Sequence, residues 1–295
     1  MMLWSQSDLV KATAGDLIGD WRNDGIAGVS IDSRSIKSDE LFVAVKAKRD
    51  GHNFINDAIR LGAKGALVDH IPADIPSNTP LLLVPSVQEA LENLGKYRRE
   101  RSQAKLVAIT GSVGKTSSKN MLKTILELQG KTHASPASFN NYLGVPLTLA
   151  NLPIDATYAV VEIGMNKPGE IEPLARMTSA DVVLITAIGK AHLEAFGDIA
   201  GIAHEKAQIV KGLKSRGIAV LNADTPGYEI LKKQTIKNGS QFISFGGIDS
   251  NLRAKKMQKL NGRIKVQCQF NDRDLDFIVG SSGFHFAENS LGVLL

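Results

Sequence analysis

The sequence predicts an α/β protein in two parts. A small N-terminal α/β unit covers residues 1–82, and a mostly parallel-sheet unit of the phosphate-loop type covers residues 83–295 and ends in an antiparallel hairpin. Three observations predict this. Short apolar runs alternate with helical spacings along most of the chain, the pattern of strands buried on both faces with helices between them. One such run, Leu106 to Ile109, passes through Gly111 and Gly114 into a helix with Met121, Leu122, Ile125 and Leu126 on one face. Near the end the period changes to two, over Arg263–Phe270 and Asp274–Val279, across the turn residues Asn271 to Asp274.

In chain order, Ser7 to Ala14 reads as a short helix capped by Ser5 or Ser7. Gly25 to Ile31 alternates into a strand that delivers Asp32-Ser33-Arg34, and Leu41 to Val45 is a second strand. Phe54 to Leu61 is amphipathic and stops at Gly62, and Ala66–Val68 and Leu81–Val84 are further buried strands. Ser33 and Arg34 therefore stand at a strand end, where ligands usually sit in α/β units. A guanidinium there suits a diphosphate, although a solvated turn explains the same residues. Asp50-Gly51-His52 is first a turn, and its histidine reads as a surface or packing residue.

Val87 to Arg101 is helical, and its basic end, Lys96 to Arg101, reads as a solvated face. The phosphate-loop segment follows, then a short strand within Gly130–Ala134 and a loop with Asn140 and Asn141, whose amides suit phosphate or sugar contacts. Tyr158 to Glu162 is an apolar strand ending in a carboxylate, and Gly169 to Met177 leads into a helix. Asp181 to Thr186 is a buried strand that delivers His192, a helix spans Ile199–Leu213 with Lys206 near its middle, and Gly217–Leu221 is a strand. Tyr228 to Lys237 is helical, Phe242 to Phe245 is a strand, and a last helix opens at Gly283. It runs to Leu295 with no stop pattern, so a chain ending ahead of a further domain is expected.

The chemistry is concentrated in Thr110-Gly-Ser-Val-Gly-Lys-Thr116. A strand feeding a glycine turn and a helix N-terminus makes a phosphate cradle, because successive backbone N–H groups face one concavity and the helix dipole adds positive potential. Gly111, Ser112, Val113 and Gly114 would form the cradle, with Ser117 in the first helical turn. Lys115 would reach the outer phosphates and Thr116 would ligate Mg²⁺. The loop is shorter than the common phosphate-loop pattern, since Ile109 stands where that pattern has glycine. A nucleoside triphosphate with Mg²⁺ is the expected ligand. Glu162 falls at the strand end where a magnesium-binding or general-base carboxylate belongs, and His192 falls on the same rim. Lys206 is solvated if its helix face is open. If it is enclosed, desolvation lowers its pKa and the free amine can add CO₂ to become a carbamate ligand.

Composition sets outer limits. At 295 residues the chain exceeds one ordinary domain. The net charge of +5 comes without a long basic run, which argues against nucleic acid. The one cysteine, Cys268, lies in an alternating segment and reads as a buried small residue of a reduced protein. With no secretory pattern at the start and no apolar run near ~18 residues, a cytoplasmic protein without membrane insertion is expected.

Together these stretches resemble the Mur ligases, ATP-dependent amide-forming enzymes of bacterial cell-wall precursor synthesis. The resemblance covers Asp32–Arg34, Leu41–Ala44, Asp50–His52, Thr110–Thr116, Asn140–Pro146, Glu162–Glu170, Ala191–Glu194 and Gly283–Asn289. The shortened phosphate loop is this family's own form. Glu162-Ile-Gly-Met-Asn-Lys-Pro-Gly-Glu170, together with Asn140-Asn-Tyr-Leu-Gly-Val-Pro146, resembles the branch that adds D-alanyl-D-alanine to UDP-N-acetylmuramoyl-tripeptide. The resemblance implies that the triphosphate is ATP, that Lys115 holds phosphates and that Thr116, Glu162, His192 and a carbamylated Lys206 serve the metal. It places Ser33 and Arg34 on the uridine diphosphate, Asn140 and Asn141 on the substrate, and Asn289 near adenine. It also implies a C-terminal ligase domain absent from these 295 residues, and hence no ligation by this chain alone; a monomer is expected, though not from the resemblance. Two alternatives stay open: another ligase of the Mur or folylpolyglutamate type, and a nucleotide-binding module that forms no bond.

Overall fold

The computed structural model describes residues 2–22 and 25–295. The chain divides into two compact units, one of residues 1–102 and 146–154, the other of residues 103–145 and 155–295. The division after Ser102 corrects the expected boundary at 82/83. The helix over Val87–Arg101 belongs with the first unit because it packs on the N-terminal helix.

In the first unit, α1 (Gln6–Thr13) starts at Ser5, whose hydroxyl accepts from Asp8 N. The five strands among the described residues are β1 (Asp16–Ile18), β2 (Gly28–Ser30), β3 (Glu40–Val43), β4 (Gly65–Val68) and β5 (Leu81–Leu83), in the order β1-β5-β4-β3-β2. All neighbours run parallel except β1, a three-residue antiparallel edge too short to show in the sequence. Helix α2 (Ile55–Arg60) follows β3, and Ile55 and Ala58 pack with Phe42, Ala66 and Leu81 in the core.

Helix α3 (Val87–Arg101) departs from expectation at its basic end. Arg98 and Arg99 are buried rather than solvated. The Arg98 guanidinium donates to Leu152 O at 2.7 and 3.1 Å and to Leu3 O at 2.9 Å, and it lies over the Trp4 ring. Burial holds its pKa below the usual arginine value. Leu152 lies in the 146–154 segment, as does Ala150, whose carbonyl accepts from Trp4 Nε1 at 3.0 Å.

The second unit opens with β6 (Lys105–Thr110), α4 (Lys115–Glu127) and β7 (Thr132–Ala134). Helix α5 (Gly144–Ala150) leads out of it. Then follow β8 (Tyr158–Glu162), α6 (Ile171–Thr178), β9 (Ala180–Ile185), the short α7 (Leu193–Phe196), α8 (Ile199–Ala207), β10 (Leu213–Asn222), α9 (Tyr228–Lys237) and β11 (Gln241–Gly246). The chain ends in β12 (Leu252–Leu260), β13 (Arg263–Phe270), β14 (Arg273–Val279) and α10 (Phe284–Leu294). The helix expected over Ile199–Leu213 is α8 plus a 3₁₀ turn over Gln208–Gly212.

Nine strands among the described residues form one sheet, ordered β14-β13-β12-β11-β10-β9-β6-β8-β7. It is parallel from β7 to β12, and β12, β13 and β14 form an antiparallel meander. The expected hairpin is thus its last two strands. β12 escaped notice because Arg253 to Leu260 is mostly exposed on both faces and shows no alternation of polarity. β13 does alternate, burying Ile264, Val266 and Cys268. Successive parallel strands fall on opposite sides of β6, with β7 and β8 to one side and β9 and β10 to the other. β6 is therefore the topological switch, and sheets of this kind take ligands beyond the carboxyl ends of the strands at such a point. No helix among the described residues is long and apolar enough to cross a membrane.

Candidate functional site

Registers Ile109↔Glu162 and Thr110↔Ile185 bring the ends of β6, β8 and β9 to one rim. The loop from Gly111 to Gly114 lies on that rim and is tied to the segment after β9. Ser112 N donates to Ala187 O at 2.7 Å, Gly189 N donates to Ser112 Oγ at 2.9 Å, and Thr186 Oγ1 donates to Val113 O at 2.6 Å. Gly114 has φ +86°, and a Cβ there would lie 2.6 Å from Asn289 Nδ2. Only glycine allows both that backbone and that approach. Asn289 also donates to Ser117 Oγ at 3.4 Å, so α10 rests on the first turn of α4.

The Lys115 ammonium donates to Gly111 O at 2.7 Å. Burial lowers its pKa and the Glu162 carboxylate opposes that shift. Thr116 Oγ1 donates to Glu162 Oε2 at 3.0 Å, and Asn140 Nδ2 donates to Glu162 Oε1 at 2.8 Å. Glu162 is 1% exposed. Asn140 thus orients Glu162, whereas the Asn141 side-chain Oδ1 accepts from Leu143 N and Gly144 N at the start of α5.

Lys119 is a residue the sequence reading missed. Its Nζ donates to Ser135 O at 2.9 Å and to Ala137 O, and lies 3.8 Å from Glu162 Oε2. One buried ammonium therefore joins α4, the loop before Asn140 and the carboxylate at the end of β8. Its spacing from Lys115, one helical turn, could have revealed it, because residues four apart share a helix face.

Lys206 on α8 is 1% exposed, which answers the question its sequence position left open. Desolvation, with the Lys115 charge adding to it, lowers its pKa to about 7. Beside it, Glu205 accepts from Gly169 N and Ile171 N at 2.9 and 3.0 Å and so caps α6, another role not legible beforehand. His192, by contrast, is exposed at the start of α7. Among the described residues no hydrogen bond or ion pair joins it to Thr116, Glu162 or Lys206. A cleft of about 510 Å³, lined by Asn222, Asp224, Thr225, Phe245, Met257 and Glu288, lies in the same unit.

In the first unit, Ser33 is buried and Arg34 turns back on its own loop. The guanidinium makes a two-point contact with Asp32 at 2.8 and 2.9 Å, which holds the Asp32 carboxyl below the usual carboxylate range.

A glycine loop between a parallel strand and a helix, at the switch point, with a lysine, a hydroxyl and a buried carboxylate around it, defines a phosphate-loop protein. The chain belongs to the Mur ligase family: residues 109–295 match the Mur ligase middle domain, and residues 25–99 match the Mur ligase family catalytic domain. It is 38% identical over 273 residues to the UDP-N-acetylmuramoyl-tripeptide–D-alanyl-D-alanine ligase of Rickettsia prowazekii, covering 90% of this chain and 60% of that one. Among solved structures it is similar to MurF from Acinetobacter baumannii, with TM-score 0.88 and 31% identity over 99% of this chain and 63% of that one. It is also similar to MurF ligase from Thermotoga maritima in complex with ADP, with TM-score 0.76 and 25% identity over 90% of this chain and 61% of the other. The chain therefore spans about 60% of the length of these relatives.

Proposed function

We propose that the whole protein couples ATP cleavage to amide formation, adding D-alanyl-D-alanine to UDP-N-acetylmuramoyl-tripeptide in peptidoglycan precursor synthesis. The observation that carries this reading is the meeting of Lys115, Thr116 and the buried Glu162 at the rim of β6 and β8, in a chain of the Mur ligase family. The Rickettsia relative is named for this ligation, and the Thermotoga relative holds ADP.

The peptide's terminal carboxylate attacks the γ-phosphorus of ATP, ADP departs, and an acyl phosphate results. The amine of D-alanyl-D-alanine then adds to the acyl carbon, inorganic phosphate leaves, and the nitrogen gives up a proton. Positioning and charge neutralisation carry most of such a reaction. The amides of residues 112–115 and the Lys115 ammonium receive the phosphate oxygens. Thr116 Oγ1 and the Glu162 carboxylate are hard oxygen donors 3.0 Å apart, which suits magnesium. When bound there, that ion supplies charge neutralisation at the phosphates.

Lys206, about half unprotonated near pH 7, would add CO₂ through its amine with loss of a proton, and the resulting carbamate and His192 would be further ligands for the metal. Asn140 and Asn141 face the substrate, Asn289 borders the adenine, and the cleft beside Glu288 takes the base. Ser33 and Arg34 hold the uridine diphosphate, with Arg34 exchanging Asp32 for phosphate oxygens.

Lys115→Ala in the whole protein tests the reading. Phosphate release from ATP in the presence of both substrates is expected to disappear, while UDP-N-acetylmuramoyl-tripeptide still binds. Sustained turnover by the variant overturns the assignment. Phosphate release that responds to a different amine but not to D-alanyl-D-alanine overturns the substrate.

A further inference from the structure

The geometry points to a second cation site, within the first unit, in which His52, Asp69 and His70 bind one metal ion of the zinc class. His52 lies in the turn after β3, and Asp69 and His70 directly follow β4. β3 and β4 are neighbouring parallel strands, paired at Val43↔Leu67, so both segments open on one carboxyl-end rim. Asp69 Oδ1 lies 3.3 Å from His52 Nε2 and 2.7 Å from His70 Nδ1, and the three ligand atoms all fall within 4.8 Å of one another. The two imidazoles stack with centroids 4.1 Å apart.

The surroundings prepare these groups for a metal. His52 Nδ1 stands 2.6 Å from Asp50 Oδ1, so the ring donates its proton there and keeps the lone pair on Nε2, the nitrogen that faces Asp69. A carboxylate holding the far nitrogen of a histidine is the usual outer support of a metal ligand. Asp50 Oδ1 also accepts from His52 N at 3.0 Å, so this carboxylate is fixed against the histidine by two contacts. His52 is 3% exposed and fixed, while the His70 side chain is 50% exposed and leaves an entry path.

His70 Nδ1 stands 2.7 Å from Asp69 Oδ1 in a hydrogen bond whose proton a metal would displace, and the other present partners are long or exposed. Asp69 N donates to His52 Nε2 at a long 3.3 Å, and the exposed Lys46 ammonium sits 3.0 and 3.1 Å from the Asp69 oxygens. Lys46 thus marks where positive charge is already held, and it is free to swing into water. Two nitrogens and one carboxylate oxygen suit zinc and its neighbours rather than magnesium or calcium, and leave one tetrahedral position for solvent. Bonds of that class set ligand atoms ~3.4 Å apart. The His52–Asp69 pair already has that spacing, and the His70–Asp69 pair opens by less than ~1 Å.

Titration of the 295-residue chain with Zn²⁺ alone, without nucleotide, tests the site by equilibrium dialysis and by the visible absorption of the Co²⁺ form. One equivalent is expected to bind. ¹⁵N histidine spectra should shift at His52 Nε2 and His70 Nδ1. His70→Ala, at an exposed position, and Asp50→Asn should each weaken binding about tenfold or more. Lys46→Met should tighten it by removing the competing ammonium, a gain that misfolding cannot mimic. Absence of saturable binding overturns the site. Equal affinity in wild type, His70→Ala and Asp69→Asn also overturns it, since the ion is then held elsewhere.

Discussion

Lys119 and Glu162 face each other at 3.8 Å, on α4 and at the end of β8, with side chains only 3% and 1% exposed. The pair carries Ser135 O and Ala137 O on the lysine and Thr116 and Asn140 on the glutamate, so one buried cluster fixes both walls of the phosphate loop's rim. Removing one partner of such a pair leaves the other charged and unpaired. Lys119→Met is therefore expected to lower the stability of the chain by about 3 kcal/mol, read by urea unfolding. A loss close to zero would show that Glu162 does not depend on this ammonium.

Glu162→Gln keeps the shape and one acceptor oxygen while removing the charge. Calorimetric titration with ATP should give similar affinities for both proteins in magnesium-free buffer. Added magnesium should strengthen binding by wild type about tenfold or more relative to the variant. An equal magnesium response in both would remove Glu162 from the metal set.

The Lys206 amine, with its pKa near 7 when folded against an ordinary 10.5, makes stability depend on pH. Between those values the unfolded chain binds more protons than the folded one, so stability rises with pH across that window and is lowest at and below about pH 7. In CO₂-depleted buffer, Lys206→Met should lack the rise and should gain up to about 4 kcal/mol over wild type at pH 7. Urea midpoints measured from pH 6 to pH 10 check this. Parallel curves for the two proteins would refute it.

Arg98 serves two carbonyls and a tryptophan face with one planar group. A lysine ammonium cannot span Leu152 O and Leu3 O together. Arg98→Lys should therefore cost about 2 kcal/mol in thermal or urea unfolding, despite the unchanged charge.

Much of this architecture was legible in advance because its signals are local. The apolar run into Gly111 and Gly114 predicted the loop at the end of β6. The isolated carboxylate after Tyr158–Val161 predicted Glu162 at a neighbouring strand end. The residues that escaped reading depend on partners far away in sequence. Arg98 looked solvated within its basic cluster, yet it extends the buried stripe of Leu91 and Leu94 at helical spacing. Lys119 looked like any helical lysine until the loop over residues 135–137 was placed above it. His192 reached the expected rim segment, but with its ring exposed. Arg34 met Asp32 two residues away, a contact that strand-end reasoning does not supply.

The nine residues from Pro146 to Ile154 are grouped with the first unit although β6, α4 and β7 precede them in the chain. The order of synthesis then has a direct effect. When Ser102 leaves the ribosome, Trp4 and Arg98 still lack the carbonyls of Ala150 and Leu152, and they wait until the whole phosphate loop has been made. A cut at 102 would release an amino-terminal fragment with an open seam, so the two units cannot be parted cleanly by a single scission.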